Sequence, residues 1–305
     1  MRLGVLDVGS NTIHLQVMEA HAGARPTPMA NYKFELRLIE HLEKEGSISA
    51  EGITLLFEAI KNFLARAKEF DTQEILAFAT SALREASNGA EIISEINSSF
   101  DIDLQILEGS DEARLTFLAV RRWLGWSAGK LLVLDIGGGS LEIALGVDES
   151  PDFAHSLPLG AGRLTREFLS GDPFTAKSIR SLESHIRETL RNSLQQPLKN
   201  QDAEHFVATS KTFRTLARLA SFWYGDSPKS LEASSLLGTI PRLSTMTNSE
   251  RAALPGVSEG RAPQIVAGAI VARELMEILK IPELEICPWA LREGIILKWL
   301  DWMER

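Results

Sequence analysis

The hydrophobic pattern at the N-terminus predicts a β-hairpin. An apolar run over Leu3–Leu6 leads into a short polar segment, Asp7–Thr12, and an alternating run follows over Ile13–Val17. Apolar runs on both sides of a short turn rich in Gly, Asn and Ser are typical of two antiparallel strands. The same pattern returns over Lys130–Val147, where Asp135–Ser140 is the polar turn. The sequence therefore predicts two hairpins of the same kind.

The two hairpins belong to a longer internal repeat. Asp7 and Asp135, which open the two polar turns, are 128 residues apart. A second pair of matching segments, Ala79–Ser81 and Ala208–Ser210, is offset by 129 residues, and each follows an apolar stretch. Recurrence at nearly one spacing indicates a duplicated unit, and strand ends are where α/β sheets place their sites. We therefore predict an internal duplication with functional residues at these strand ends.

A helical period dominates between the hairpins. The predicted helices, each with apolar residues three or four positions apart, are Ile53–Ala67, a segment that opens near Asp111, Ile179–Leu194, Ile265–Leu279 and Ala290–Trp302. The predicted strands outside the hairpins are Lys33–Ile39, Leu104–Leu107 and Phe153–Leu159. This alternation favours two α/β lobes with a boundary near residues 115–130 and a cleft between them. Pro255–Gly260 is predicted to be an exposed loop.

Composition and charge narrow the classes of function. The chain has 305 residues, enough for about two domains. Its formal net charge of −9 argues against a general nucleic-acid or membrane-surface binder, which needs a basic face. The single cysteine, Cys287, excludes an intrachain disulfide and a cysteine-rich zinc site. We expect a cytoplasmic protein, because no stretch suits a signal peptide or a bilayer span.

The turn Asp135–Ser140 has the composition of a phosphate-binding loop. Its three consecutive glycines let the backbone approach a ligand and turn several N–H groups toward it. Asp135 ends an apolar strand, and a hairpin can bring Glu142 beside it. Carboxylate oxygens are the ligands that Mg²⁺ prefers. The pattern favours a carboxylate pair beside a phosphate loop, and the alternative is a glycine-rich hairpin with one exposed acid.

The first turn, Asp7–Thr12, offers a second set of donors. Ser10, Asn11 and Thr12 can donate to phosphate through side chains and backbone, although Asn and Ser are also ordinary turn formers. His14 alternates with apolar neighbours and is interpreted as a structural histidine. Two such turns facing each other across a cleft would hold adjacent phosphates of one substrate.

Two further segments carry candidate charges. Glu108–Arg114 follows a predicted strand and opens a helix, so Ser110 or Asp111 suits the N-cap and the acids suit the helix N-terminus. A carboxylate there could also hold a water for attack on phosphorus. Arg84 and Lys211 each follow one copy of the Ala-Thr-Ser segment. Such cations suit phosphate, and a solvated surface position is the alternative.

Five ordered motifs together resemble the exopolyphosphatase and guanosine-pentaphosphate phosphatase family, which shares the fold of actin, Hsp70 and the sugar kinases. They are Asp7–Asn11, Ala79–Arg84, Glu108–Arg114, Asp135–Glu142 and Ala290–Gly294. The resemblance spans nearly the whole chain and is strongest to the short, two-domain actinobacterial branch. It implies an α/β fold of two actin-like, ribonuclease H-like lobes with an interdomain cleft. Residues 1–120 would form lobe I, completed by the C-terminal helix 286–305, and residues 121–285 lobe II.

The resemblance also implies roles for individual residues. Glu112 matches the general base, and Asp135 and Glu142 match the acids that hold Mg²⁺ or another divalent cation such as Mn²⁺. Asp7 is a further candidate for the metal. The predicted phosphate-binding residues are Ser10, Asn11, Arg84, Gly137, Gly138, Gly139, Ser140 and Lys211.

The implied activity is that of an exopolyphosphatase, which releases terminal orthophosphate from inorganic polyphosphate by metal-assisted in-line attack of water. Lys211 stands where the family often has Gly, and a long cation there favours a polyanion over a flat purine. The net charge of −9 favours short chains. The alternatives are a pppGpp 5′-phosphohydrolase, a polyphosphate- or alarmone-binding regulator with little turnover, and a small-molecule kinase of the same fold. The family also implies (p)ppGpp as a substrate or inhibitor, and a homodimer.

Overall fold

The computed structural model describes residues 1–21, 23–194, 198 and 202–303. The chain divides into two compact units, each with its own sheet. The first unit comprises Met1–Ala119 and Leu291–Arg305, and the second comprises Val120–Ala290. The architecture is mixed α/β, as the alternation of strand and helix patterns predicts.

In each unit the first two strands form a hairpin, and the other strands follow along the chain. The strands are β1 (Arg2–Val8), β2 (Thr12–Glu19), β3 (Thr27–Glu35), β4 (Glu74–Ala79), β5 (Leu104–Ile106), β6 (Leu131–Ile136), β7 (Leu141–Gly146), β8 (Phe153–Leu157), β9 (His205–Ala208), β10 (Ser230–Glu232) and β11 (Glu283–Ile286).

The helices of the described chain surround these strands. They are α1 (Ala50–Glu69), α2 (Ser81–Glu85), α3 (Gly89–Phe100), α4 (Gly109–Leu124), α5 (Ala161–Phe168), α6 (Ala176–Ser193), α7 (Ser210–Tyr224), α8 (Ala233–Thr245), α9 (Asn248–Ala252), α10 (Ile265–Ile278) and α11 (Leu291–Met303). None of them is both long and apolar enough to cross a bilayer.

The two sheets share one topology. The first has the order β3-β2-β1-β4-β5, and the second has the order β10-β11-β9-β6-β7-β8. In each sheet a three-stranded antiparallel meander joins parallel strands through its first member, β1 or β6. Both predicted hairpins are confirmed. The common strand order is what an internal duplication produces, and β10 is an addition at the edge of the second sheet.

Each unit contains hydrophobic clusters of its own residues. The second unit packs β6, β7 and β9 against helices that include α7 and α10. In the first unit, α1 and α3 cover one side of the sheet, and α11 places Ile295, Ile296 and Leu300 against Leu3 and Val5 of β1. Helix α1 begins where the sequence changes from loop to apolar period, because the Ser49 hydroxyl accepts the Gly52 amide.

One predicted strand is displaced. The sequence pattern predicts a strand at Lys33–Ile39, whereas β3 covers Thr27–Glu35 and a 3₁₀ turn covers Leu38–His41. β3 is an edge strand whose side chains are mostly exposed, so it carries little apolar alternation. Its length is set by backbone pairing with β2, which local side-chain pattern does not reveal.

The predicted starts of two helices can be compared with the structure. Helix α4 begins at Gly109, so Ser110 and Asp111 lie in its first turn and neither is the N-cap. The C-terminal helix predicted over Ala290–Trp302 is confirmed within one residue at each end as α11, Leu291–Met303. The lobe assignment took this helix as 286–305, but Ile286 ends β11, which pairs with β9 and β10. Residues 304 and 305 of that expected helix lie outside the described residues.

Candidate functional site

The first polar turn is anchored by the segment that follows β3. The Gly9 amide donates to the Thr12 carbonyl at 3.0 Å, which closes the turn between β1 and β2. The Ser10 carbonyl accepts from the amide of Ile39 at 3.3 Å, and the Asn11 carbonyl accepts an amide of the same segment, at 2.9 Å. Ser10 is buried, and its hydroxyl lies 2.7 Å from the hydroxyl of Ser81 at the start of α2. The turn is therefore held with two of its carbonyl oxygens already bonded.

The glycine-rich turn of the second unit is closed in the same way. The Gly137 amide donates to the Ser140 carbonyl at 2.9 Å. The carbonyls of Gly137 and Gly138 accept amides at the start of α5, from Ala161 at 3.0 Å and Gly162 at 2.9 Å. The helix N-terminus therefore binds the carbonyl side of this turn.

Two residues at the start of α5 keep this turn close to the helix. A Cβ at Gly160 would clash with the backbone of Gly139 and Ser140, so only glycine allows this approach. The Arg163 Nε donates to the Gly139 carbonyl at 2.9 Å. The amides of Gly138, Gly139 and Ser140 donate to no group in the described part of the chain. With the carbonyls bonded to α5, these three N–H groups suit an anion.

The second hairpin pairs two carboxylates beside this turn. Asp135 of β6 lies opposite Glu142 of β7, so both side chains project from the same face of the sheet. The Thr209 hydroxyl donates a short hydrogen bond to Asp135 Oδ2. The Ser156 hydroxyl donates to Glu142 Oε1 at 2.9 Å, and Glu142 is only 6% exposed. A Cβ on Gly137 would lie 4.0 Å from Glu142 Oε2, which places the pair directly behind the turn.

The carboxylate pair fits a divalent cation whose remaining ligands come from the substrate and water. Over residues 1–21, 23–194, 198 and 202–303, no three His, Cys, Asp or Glu side chains are grouped as a metal site. Mg²⁺ commonly binds through one or two carboxylates, substrate phosphates and water. Asp135 and Glu142 provide such a pair, in contrast to a cage made only of protein ligands.

The first hairpin differs at the corresponding position. Asp7 of β1 lies opposite His14 of β2, so a histidine takes the place that Glu142 has in the second unit. Arg292 of α11 contacts His14 through Nη1 and Nδ1, 3.1 Å apart. Burial raises the pKa of the Asp7 carboxyl, the Arg292 cation opposes this rise, and Glu293 adds to it. Asp7 therefore has a cation supplied by its own unit.

The first unit brings Glu112 and Arg84 together. Glu112, in the first turn of α4, is 7% exposed, whereas its neighbour Asp111 is exposed. Arg84 Nη1 donates to Glu112 Oε1 at 2.6 Å and to the Leu107 carbonyl at 2.5 Å. Arg84 Nε and Nη2 make no hydrogen bond with the described residues. One side of the guanidinium thus orients Glu112, and the other remains for an anion.

Lys211 lies at the start of α7, close in sequence to the partner of Asp135. Thr209 is the N-cap of this helix, and Ser210 has a left-handed backbone with φ of 63°. Lys211 follows in the first helical turn and is half-buried. Lys211 therefore lies two residues after Thr209, which bonds Asp135 of the neighbouring strand β6.

Several residues of this site are missed by sequence reasoning. Thr209, Ser156 and Arg163 contact the predicted carboxylates or the glycine turn, and Arg292 contacts His14. The repeated Ala-Thr-Ser segment was a signal for Thr209. The motif at 290–294 was a signal for Arg292. Nothing local marks Ser156, because its role depends on the pairing of β8 with β7.

The duplicated sheet order and the paired hairpin turns define an α/β protein with two actin-like lobes. Solved structures share this fold. The crystal structure of an exopolyphosphatase from Cytophaga hutchinsonii is 25% identical, with a TM-score of 0.88, and covers 99% of this chain and 98% of its own. The Aquifex aeolicus Ppx/GppA family member is 22% identical, with a TM-score of 0.82, over 100% and 99% of the two chains. The predicted fold class is confirmed.

The chain belongs to the Ppx/GppA phosphatase family, whose model matches residues 16–303. It is 50% identical to Exopolyphosphatase 1 of Mycobacterium tuberculosis, over 99% of this chain and 89% of the relative. It is 48% identical to Exopolyphosphatase 1 of Mycobacterium leprae, over 99% and 90%. The predicted family resemblance is therefore confirmed.

Proposed function

We propose that this chain is an exopolyphosphatase that hydrolyses the terminal phosphoanhydride bond of inorganic polyphosphate. The observation that carries the proposal is the pair Asp135 and Glu142, placed opposite each other behind a turn with three unused amides. The mycobacterial relatives that are about half identical bear the name exopolyphosphatase, which supports the same activity. The product is orthophosphate, and the remaining chain is one phosphate shorter.

Phosphate binding is assigned to both turns. In the second unit the amides of Gly138, Gly139 and Ser140 receive phosphate oxygens, and Gly137 closes the turn that presents them. In the first unit the assigned residues are Ser10 and Asn11. Lys211 and Arg84 add positive charge, which an acidic protein needs locally to hold a polyanion. Backbone amides and guanidinium groups stabilise charge on equatorial phosphate oxygens.

Asp135 and Glu142 are assigned to a divalent cation, Mg²⁺ or Mn²⁺. Such an ion, when bound, neutralises phosphate oxygens and favours attack at phosphorus. Thr209 and Ser156 hold the two carboxylates in place through one hydrogen bond each. Asp7 is a weaker candidate as a ligand, because Arg292 already supplies a positive charge beside it.

Glu112 is assigned as the general base. Its carboxylate accepts a proton from water as the water oxygen bonds to the terminal phosphorus. The bridging P–O bond then breaks, and its electron pair stays on the shortened polyphosphate. Arg84 holds Oε1 of Glu112 at 2.6 Å and can bind the transferred phosphoryl group through Nε and Nη2.

Substitution of Glu112 tests this assignment. A positioned general base contributes ~10²–10⁴-fold to a rate, so Glu112→Gln should lower kcat for orthophosphate release by about that factor. Asp111→Asn is the matched control, because this neighbouring acid is exposed, and it should leave kcat close to the wild-type value. Near wild-type turnover by Glu112→Gln would rule out its role as the base.

The substrate is tested by comparing orthophosphate release from short polyphosphate, long polyphosphate and pppGpp. We expect polyphosphate to be preferred over pppGpp because of Lys211, and short chains to be preferred because the net charge is −9. Lys211→Gly should lower the ratio of orthophosphate release from polyphosphate to release from pppGpp. Faster release from pppGpp would overturn the substrate assignment. Tight polyphosphate binding without release would identify a regulator.

A further inference from the structure

A chain of three polar side chains leads to the first turn. Arg292 Nη1 of α11 lies 3.1 Å from His14 Nδ1, and His14 Nε2 lies 3.0 Å from the Thr12 hydroxyl. Thr12 ends the turn whose Ser10 and Asn11 are assigned to phosphate. All three members of the chain belong to the first unit.

Donor chemistry sets the direction of each bond. A guanidinium nitrogen can only donate, so His14 Nδ1 accepts from Arg292. A neutral imidazole whose Nδ1 accepts carries its proton on Nε2. That N–H donates to the Thr12 oxygen. The Thr12 hydroxyl proton must therefore point away from His14, and Thr12 donates to no residue in the described ranges.

Glu35, the acid opposite Thr12 in the sheet, pairs with two cations and not with this hydroxyl. Glu35 of β3 lies opposite Thr12 in the sheet register. Its carboxylate pairs with Lys33 at 3.0 Å and with Arg37 at 3.5 Å. These cations hold the pKa of Glu35 below its usual range. Glu35 is thus held by two cations, and no hydrogen bond joins its carboxylate to the Thr12 hydroxyl within the described ranges.

The duplicated hairpin explains why the first unit has this arrangement. The second unit places Glu142 opposite Asp135, and that pair calls for an added cation. The first unit places His14 opposite Asp7 and brings its own cation, Arg292. If the metal assignment of Asp135 and Glu142 holds, the first hairpin has a protein cation where the second has room for an added one.

We infer that Arg292 and His14 are positioning residues that direct the Thr12 hydroxyl proton onto a phosphate oxygen of the substrate. The inference rests on the proposed function only for the identity of the substrate, a polyphosphate. The directions of the hydrogen bonds follow from donor chemistry alone. Thr12, already a candidate phosphate donor in the sequence, binds the substrate through its hydroxyl, and Arg292 and His14 act through it.

The tautomer of His14 is the first test, and it needs no activity. The chain has six histidines, so ¹⁵N-histidine labelling with His14→Gln as the assignment variant resolves its signal in a long-range ¹H–¹⁵N NMR spectrum. We expect the Nε2–H tautomer in the wild type and a mixture of tautomers in Arg292→Leu. A protonated Nδ1 in the wild-type protein would overturn the inference.

Binding is the second test. Calorimetry gives the dissociation constant for tripolyphosphate. The Glu112→Gln background is used so that binding is measured without turnover. Loss of a hydrogen bond to a charged group costs about tenfold to a hundredfold in affinity, so Thr12→Val should weaken binding by that factor. Thr12→Ser keeps the hydroxyl and should bind as Thr12 does.

A double variant distinguishes an action of His14 through Thr12 from a purely structural role of His14. If His14 acts through Thr12, His14→Phe combined with Thr12→Val should bind no more weakly than Thr12→Val alone. Additive losses would overturn the inference, as would unchanged binding by Thr12→Val with an unchanged melting temperature. Absence of phosphate release from the wild type would refute the proposed function. The tautomer of His14 and the binding constants would still decide whether Arg292 and His14 act through Thr12.

Discussion

Two hydroxyl groups set the position of the carboxylate pair in the second unit. Thr209 is fully buried at the end of β9 and bonds Asp135, while Ser156 of β8 bonds Glu142. Each carboxylate thus accepts a hydrogen bond from a hydroxyl of a neighbouring strand or strand end. A ligand held this way loses less rotational freedom when it binds a cation, so such neighbours raise metal affinity.

Thr209→Val should weaken divalent-cation binding by about tenfold to a hundredfold, the usual effect of losing such a neighbour. Thr209→Ser retains the hydroxyl and should bind like the wild type. Mn²⁺ titration followed by electron paramagnetic resonance measures this without substrate. Thr80→Val is the matched control, because Thr80 is the N-cap of α2 at the corresponding strand end and bonds no carboxylate. Equal loss in both variants would show that Thr209 has only a structural role.

At the scale of elements, the duplicated sheets differ in one register. Val8 pairs with Ala79 in the first sheet, whereas Leu134, which corresponds to Leu6, pairs with Ala208 in the second. A shift of two residues leaves every side chain on its own face. Because of this shift, Thr209, which follows β9, lies further back along β6 and reaches Asp135.

The crossing of α4 and α11 depends on one glycine. A Cβ at Gly294 would clash with the backbone carbonyl of Leu115, which a side-chain rotation cannot relieve. Gly294→Ala should lower the free energy of unfolding by about 1–3 kcal/mol or more, as overpacking does. Lys298→Ala, at an exposed position of the same helix, should change it by less than about 0.5 kcal/mol. Urea denaturation followed by fluorescence measures both, and equal midpoints would contradict this packing account.

At the scale of the whole molecule, each unit contains large apolar clusters built from its own residues. The large cluster around β6 and α10 lies within Val120–Ala290, and the two clusters around β1 lie within the first unit. The first unit is discontinuous, because α11 returns from the end of the chain to cover Leu3 and Val5. Its stability therefore depends on a segment remote in sequence.

Deletion of residues 291–305 should destabilise the first unit selectively. It uncovers the apolar face of β1, and burial of such a surface contributes about 25 cal/mol per Å². Hydrogen exchange resolved by mass spectrometry should show faster exchange in β1 and β4, with β6 and β9 still protected. Uniform loss of protection in both units would show that they unfold as one cooperative body.

Much of the fold follows from local pattern. The period of two in Ile13–Val17 and of 3.6 in Ile53–Ala67 reflects which face of each element is buried, so hairpins and helices were predictable. The edge strand β3 was not, because its exposed side chains carry little such signal. The helical pattern at Ala290–Trp302 located α11 within one residue, whereas β11 was missed because it is defined by its partners β9 and β10.

The candidate site divides in the same way. The glycine turn, Asp135, Glu142 and Glu112 stand in local motifs whose chemistry is visible in the sequence. The residues that hold them are not: Thr209 reaches Asp135 across 74 positions, and Arg84 reaches Glu112 across 28.

The sequence by itself determined the two hairpin turns, their acids and the family, because these depend on neighbouring residues. Only the tertiary structure decided which hydroxyl holds each carboxylate and that Arg292 meets His14, because strand register and helix return bring distant segments together.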